Sequence, residues 1–326
     1  MPRLSAVVLL ALAVATAPAA CGGGGDDAGG GPVFLSVGTA PPGGAFFVVG
    51  GALAEVLNLA GADRGWRVNQ EATSGSQENI RRLAQGELDF ALSNSAITYF
   101  AVRGAEGWDR AYSMQSVMTL APNVALFITR TDSSITRLAD LAGKRVVIGP
   151  AGAGFEYFVR PILQAHGVSY DDFTALNATQ VATVDMLTDG AADAVFLGGA
   201  VPTSSITQAA ASMDLRFIPF DEATRQQLIA DYLFFRPATI PAGTYRNQDE
   251  PFEGLDVGSM HFITAADQDE QLVYDVTKML YEQRDQVTEK HPAGRAINPT
   301  NVVRDTGTPF HPGAIRYYQE IGIWPN

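Results

Sequence analysis

Cysteine is nearly absent from this chain: Cys21 is the only one. No intramolecular disulfide is possible, so packing alone must hold the fold. Basic residues are scarce as well, 22 Lys and Arg against 35 Asp and Glu, and the net charge is −13. That balance argues against nucleic acid and against electrostatic attachment to anionic lipid. It leaves the ligand open, because net charge belongs to the whole surface. The histidines are His166, His261, His291 and His311, none at ligand spacing from another. They read as turn or packing residues, and no metal or cofactor is expected. The Gly-x-Ser-x-Gly elbow and the His-Glu-x-x-His helix are missing too. Gly143-Lys144 is followed by Arg145, so there is no Walker loop. Gly152-Ala-Gly154 supplies two glycines of a dinucleotide fingerprint, but Tyr157 stands in the third position. Without a reactive constellation, no enzymatic activity is expected.

What is present begins with a targeting segment. Arg3 is its only charge, and an apolar run from Leu4 to Ala17 has the length of a signal h-region. Small residues lead to Cys21, which reads as a lipoprotein processing site whose acylated thiol would anchor the exported chain. Pro18 departs from the aliphatic residue usual there. A coincidental cysteine after a soluble export signal is the alternative. Residues 1–20 are thus expected to be a signal peptide and 21–32 a glycine-rich flexible tether. After residue 31, no stretch approaches the ~18 uninterrupted apolar residues of a transmembrane helix.

Strand and helix patterns alternate from Val33 onward. Residues 33–37 read as a buried strand, Gly38-Thr-Ala-Pro-Pro-Gly-Gly44 as a turn, and Phe46, Val49, Leu53, Val56 and Leu57 as one helix face. Residues 66–72 alternate like a strand, a loop follows at Thr73-Ser-Gly-Ser76, and Ser74 with Gln77 has capping-box spacing. Residues 88–92 read as the next strand, with a loop at Ser93-Asn-Ser95. The layout recurs from Arg145: strand, glycine-rich turn at residues 149–154, helix, and a strand at 193–197. Leu83-Ala-Gln-Gly-Glu-Leu-Asp89 and Leu187-Thr-Asp-Gly-Ala-Ala-Asp193 share the pattern Leu-x-x-Gly-x-x-Asp. Two similar β-loop-α-β units imply an α/β chain with parallel-rich sheets in two lobes facing a central ligand cleft. The chain is expected to cross between lobes within residues 117–128 and to return within 257–264. Lobe 1 is then 33–122 plus 258–326, and lobe 2 is 123–257. Ligand capture should proceed by hinge closure.

Several stretches resemble the TAXI-type solute-binding proteins of tripartite ATP-independent periplasmic (TRAP) transporters. They are Val37-Gly-Thr, Gly43-Gly44, Val49-Gly-Gly51, Thr73-Ser-Gly-Ser-Gln-Glu-Asn79, Gly86-Glu-Leu-Asp-Phe90, Gly143-Lys-Arg-Val146, Gly152-Ala-Gly154, Ala238-Thr-Ile-Pro-Ala-Gly243 and Phe310-His-Pro-Gly-Ala-Ile-Arg-Tyr-Tyr318. The resemblance implies a type II periplasmic-binding-protein fold and a monomeric, extracytoplasmic receptor. Such a receptor hands a small polar solute, an amino acid or small organic acid, to TRAP membrane subunits. A sensor or enzyme reusing the bilobal scaffold is the alternative. The resemblance also implies a cleft lined by the loops at 38–47, 73–76 and 152–156. The expected substrate-binding residues are Thr39, Gly43, Gly44, Phe46, Thr73, Ser74, Gly75, Ser76, Asn94, Gly152, Ala153, Gly154, Phe155, Glu156, Phe196 and Gly198. Three features depart from the family pattern: Ala153 and Phe155 stand for hydroxyl residues, Glu156 stands where a base is frequent, and Gly43 replaces a common threonine. These loops contain no Arg or Lys, so a zwitterionic or neutral ligand is expected. Glu156 either pairs with its ammonium or simply faces water in its helix's first turn. Arg236 would restore a dicarboxylate site only if its loop reached the cleft.

Overall fold

The computed structural model describes residues 31–105 and 107–325. The expected signal peptide, Cys21 and most of the tether lie outside the described residues. The first half of the chain runs β1 (Val33–Gly38), α1 (Ala45–Ala60), β2 (Trp66–Glu71), α2 (Ser76–Ala84), β3 (Phe90–Asn94), α3 (Ser95–Arg103) and β4 (Met114–Thr119). Then come β5 (Val124–Arg130), β6 (Arg145–Gly149), α4 (Glu156–Ala165), β7 (Thr174–Asn177), α5 (Gln180–Thr188) and β8 (Ala194–Gly199). These are followed by α6 (Ser204–Ser212), β9 (Leu215–Phe217), α7 (Glu222–Asp231), β10 (Phe235–Ile240) and β11 (Phe252–Val257). The chain closes with β12 (Met260–Ala265), α8 (Glu270–Glu282), α9 (Arg284–Lys290) and α10 (Pro312–Glu320).

Two sheets result. The first has the order β2-β1-β3-β12-β4, and the second β10-β11-β5-β8-β6-β7 with β9 paired to β5. In each, three consecutive strands pair in parallel with the first in the middle: β2-β1-β3 and β7-β6-β8. Antiparallel strands complete both sheets. The chain passes from one sheet to the other through residues 120–123 and returns through Gly258 and Ser259.

The repeated Leu-x-x-Gly-x-x-Asp pattern does the same work in both lobes. Gly86 and Gly190 each have φ +71°, the left-handed conformation that lets a helix end and the chain turn back. The closing aspartates then tie this turn to the central parallel strand: Asp89 Oδ2 accepts from Ser36 N at 2.8 Å, and Asp193 Oδ2 from Arg145 N at 2.8 Å. Leu83 and Leu187 are buried beneath.

Local expectations needed two corrections. No loop occurs at residues 93–95: Ser93 and Asn94 end β3, and Ser95 begins α3 directly, with the Asn94 side chain accepting from Ala96 N as the cap. The capping box on Ser74 does not form either. Gly75 is the N-cap of α2, and Ser74 instead donates its N–H to Glu78 Oε2 at 2.8 Å. The histidines do sit in turns and packing. His291 and His311, each before a proline, accept from Ala293 N and Gly313 N at helix starts.

The lobes meet along an aromatic seam, among other contacts. Tyr157 of α4 lies between Phe100 of α3 (centroids 5.7 Å, 26°) and Trp108 (5.7 Å, 17°), and Gln77 Nε2 reaches its hydroxyl at 3.4 Å. One hydrophobic cluster therefore runs from Ile97 and Ala101 in the first lobe through Tyr157 and Phe158 in the second. Among the described residues, no helix is long and apolar enough to cross a membrane.

Candidate functional site

The parallel strands of both sheets end at one cavity between the lobes. From the first lobe it is lined by Ala40, Pro41, Gly44, Ala45 and Phe46 after β1, by Ser74, Gly75 and Ser76 after β2, and by Asn94 at the end of β3. Pro150, Phe155, Gln180 and Gly198 line it from the second lobe, and Asn123 from the crossing. The cavity offers about 40 Å³ to the centres of water-sized molecules. No titratable side chain is among its lining residues.

The structure distributes the expected binding residues over several places. Gly44, Phe46, Ser74, Gly75, Ser76, Asn94, Phe155 and Gly198 line the cavity. Thr39 and Thr73 stand behind its wall. Thr39 Oγ1 donates to Glu71 O at 2.8 Å, and its carbonyl accepts from Thr73 Oγ1 and Asn79 Nδ2. Gly43 and Ala153 bond from one lobe to the other. The Gly43 carbonyl accepts from Ser204 Oγ at 2.9 Å, and the Ala153 carbonyl from Gln77 N at 3.4 Å. Gly154 packs near Ile97, Gly152 is exposed on its turn, and Phe196 is buried behind Phe155 at 5.8 Å.

Glu156 is on the far side of its helix start. It borders a separate hollow with Gln77, Phe100, Arg160 and Tyr232. Successive helical residues lie about 100° apart, so with Phe155 turned into the cavity its neighbour is turned out. A ligand ammonium in the cavity thus does not meet the Glu156 carboxylate. Arg236 does not reach the cavity either: it is exposed on the edge strand β10.

Three polar lining residues were not anticipated from sequence in their actual roles. Gln180 closes the second-lobe wall, its Nε2 donating to Gly198 O at 2.9 Å and its Oε1 accepting from Ser205 Oγ at 2.7 Å. Asn94 spends its side chain on the return crossing, donating to Val257 O and Gly258 O. Asn123 is pinned by its backbone: its N–H donates to Asp256 Oδ1 at 3.0 Å and its carbonyl accepts from Val257 N at 2.9 Å. An asparagine after Pro122 inside an apolar run was the only available signal for it.

Beneath the crossings sits a buried polar cluster. Burial pushes the Asp256 carboxyl up to about 6, against the opposing pull of its bond from Ser259 Oγ and of the Arg304 charge. Burial drives the His261 imidazole down to about 3, and Arg304 adds to this. His261 Nε2 lies 2.7 Å from Thr306 Oγ1. Among the described residues, no group of three or more His, Cys, Asp or Glu is placed to hold a metal.

Comparison with known proteins gives a consistent picture. The model of the NMT1-like family matches residues 37–322. A solved protein of Bordetella bronchiseptica shares 11% identity and a TM-score of 0.53, over 90% of this chain and 89% of its own. A Xanthomonas citri protein solved with chloride shares 14% and 0.50, over 88% and 95%. The periplasmic aliphatic sulphonate binding protein SsuA of Escherichia coli shares 15% and 0.47, over 90% and 84%. At these identities the likeness is one of fold alone, the α/β arrangement of two sheets shared with the first two of these proteins.

Proposed function

From the premise that this chain belongs to the NMT1-like family, we propose that it is an extracytoplasmic solute-binding receptor that captures a small polar solute by closing its lobes and passes it to a membrane transporter. The observation that carries this reading is the cavity itself. Both lobes and a crossing contribute to its lining, and it lies where strand ends and helix starts converge. A site split in this way is complete only when the lobes meet, so binding and closure are one event. None of its lining side chains is an acid, base or thiol nucleophile, which favours a receptor over an enzyme.

The sequence resemblance to TAXI-type proteins supports a TRAP-type transporter as the partner. The signal-like segment and Cys21 support export and a lipid anchor. The sheet-to-sheet passages at residues 120–123 and 258–259 are the proposed hinge, separating a lobe of residues 33–122 and 258–326 from one of 123–257. Solution scattering on the purified chain, after unfolding and refolding to remove bound solute, tests the capture step. Adding back the extracted solute should reduce the radius of gyration. An unchanged radius at saturating solute would sink the closure mechanism.

A further inference from the structure

We propose that the cavity selects a compact monoanion, a short-chain carboxylate of about four or five non-hydrogen atoms, bound without a cationic side chain. The inference rests on the receptor reading and narrows the ligand class.

The polar groups that face the cavity are donors in surplus. α1 and α2 both begin at it, and their N-caps, Gly44 and Gly75, are lining residues. Neither helix start is capped by a side chain. Among the described residues, the N–H groups of Ala45, Phe46 and Ser76 have no hydrogen-bond partner. Two helix N-termini thus direct free amides and dipole charge at one small volume, an arrangement that favours an anion.

An independent side chain points to the same ligand. Asn123 is only 5% exposed, and among the described residues its amide has no partner. With its backbone held on both sides by Asp256 and Val257, the amide is left facing the cavity. An amide without a protein partner at the cavity wall is free to bond a polar group placed there. Ser76 adds another donor. Its Oγ already accepts from Asn94 N at 2.9 Å, and its hydroxyl proton has no acceptor among the described residues. The two other amides at the wall, Asn94 and Gln180, are used up in holding the wall together.

Charge and size then set limits. A second carboxylate would find no Arg or Lys among the lining residues, and an ammonium would find no acid. Either would be a buried, unpaired charge, which is strongly unfavourable. The cavity is small, with ≈ 40 Å³ open to the centres of water-sized molecules. That suits acetate or propionate, with the carboxylate on the donors and the short tail against Phe46 and Phe155. These apolar walls favour a carboxylate over an inorganic oxyanion.

The test is calorimetry on the solute-stripped full chain with acetate, propionate, nitrate, acetamide, propionamide, alanine and succinate. Acetate or propionate should bind, and its neutral amide should bind at least about tenfold more weakly, as expected for loss of a charge-assisted bond. Asn123→Ala should weaken the carboxylate by roughly tenfold, while Glu156→Gln should leave it unchanged. A melting curve would show that the Asn123 variant folds, and the wild-type panel decides the question without it. Amides binding as well as acids would overturn the proposal, as would tighter binding of nitrate, alanine or succinate. If nothing in the panel binds, native mass spectrometry of the unstripped chain separates the failures. A larger bound solute would overturn the compact monoanion and keep the receptor. No retained solute, together with no response to a broad metabolite screen, would overturn both.

Discussion

Tyr157→Ala should open the lobes of the ligand-free protein. The Tyr157 ring is inserted from the second lobe between Phe100 and Trp108 of the first, with centroids 5.7 Å away on both sides. Each such aromatic pair contributes about 0.5–1.5 kcal/mol beyond area burial. Losing two removes about 2 kcal/mol from the closed state, close to a thirtyfold change in the closing equilibrium. Folding should suffer less, because the remaining apolar residues of α4 (Phe158, Val159, Ile162 and Leu163) stay buried. Tyr157→Phe keeps both stacks and loses only the 3.4 Å contact with Gln77, so it should stay near wild type. The assay is an inter-lobe distance distribution from spin labels at Leu59→Cys and Asp189→Cys, with Cys21 replaced. Both sites are exposed, one in each lobe. The same factor should appear in the apparent Kd of any solute that requires closure. Identical distance distributions for wild type and Tyr157→Ala would refute the clasp.

Two further outcomes are expected. Acid response should be set by a pair of opposing groups beside the passages between the sheets. His261, held down to about 3, loses stability as pH falls from 6.5 because the unfolded chain takes up a proton that the native one refuses. Asp256, held up to about 6, gains stability between pH 6 and 3.8 because the native chain takes up the proton first. Each effect amounts to at most about tenfold in the unfolding equilibrium per pH unit, and between pH 6 and 4 they nearly cancel. Urea unfolding should therefore show Asp256→Asn losing stability steeply on acidification and His261→Asn gaining it; parallel pH profiles for both would contradict this account. Separately, Cys21→Ala should move the exported protein from the membrane fraction to the soluble one, and unchanged membrane fractionation would place the anchor elsewhere.

Much of the fold could be read from the chain because the residues that build it repeat. Leu83 to Asp89 and Leu187 to Asp193 announce the same turn twice, and the structure gives both aspartates the same backbone partner relation. The glycine-rich loops after β1 and β6 could likewise be placed at strand ends. The site was less legible, for reasons of geometry. Whether Phe155 or Glu156 faces inward depends on the rotation of α4 about its axis, which a helix's first residue does not reveal. Gln180 and Asn123 join the cavity only through the meeting of separate elements, and a single polar residue leaves no periodic trace. Thr39 and Thr73 were anticipated as ligand donors, yet they hold backbone carbonyls instead. Hydroxyl residues near a strand end serve either purpose, and only the positions of the neighbouring carbonyls decide which.

The order of strands in the first sheet has a bearing on how the molecule is made. β12 lies between β3 and β4, pairing with both, and α10 is tied to β4 through Tyr318 Oη and the Val117 carbonyl. A polypeptide emerging from its N-terminus therefore presents β3 and β4 with a gap between them until residues 120–259 have followed. The strands of the second sheet, β5 to β11, come from one continuous stretch that is complete before β12. During synthesis, the half of the chain that begins first is the half that finishes last. Until residues 260–265 arrive, its two unpaired strand edges are the surface most in need of protection from other chains.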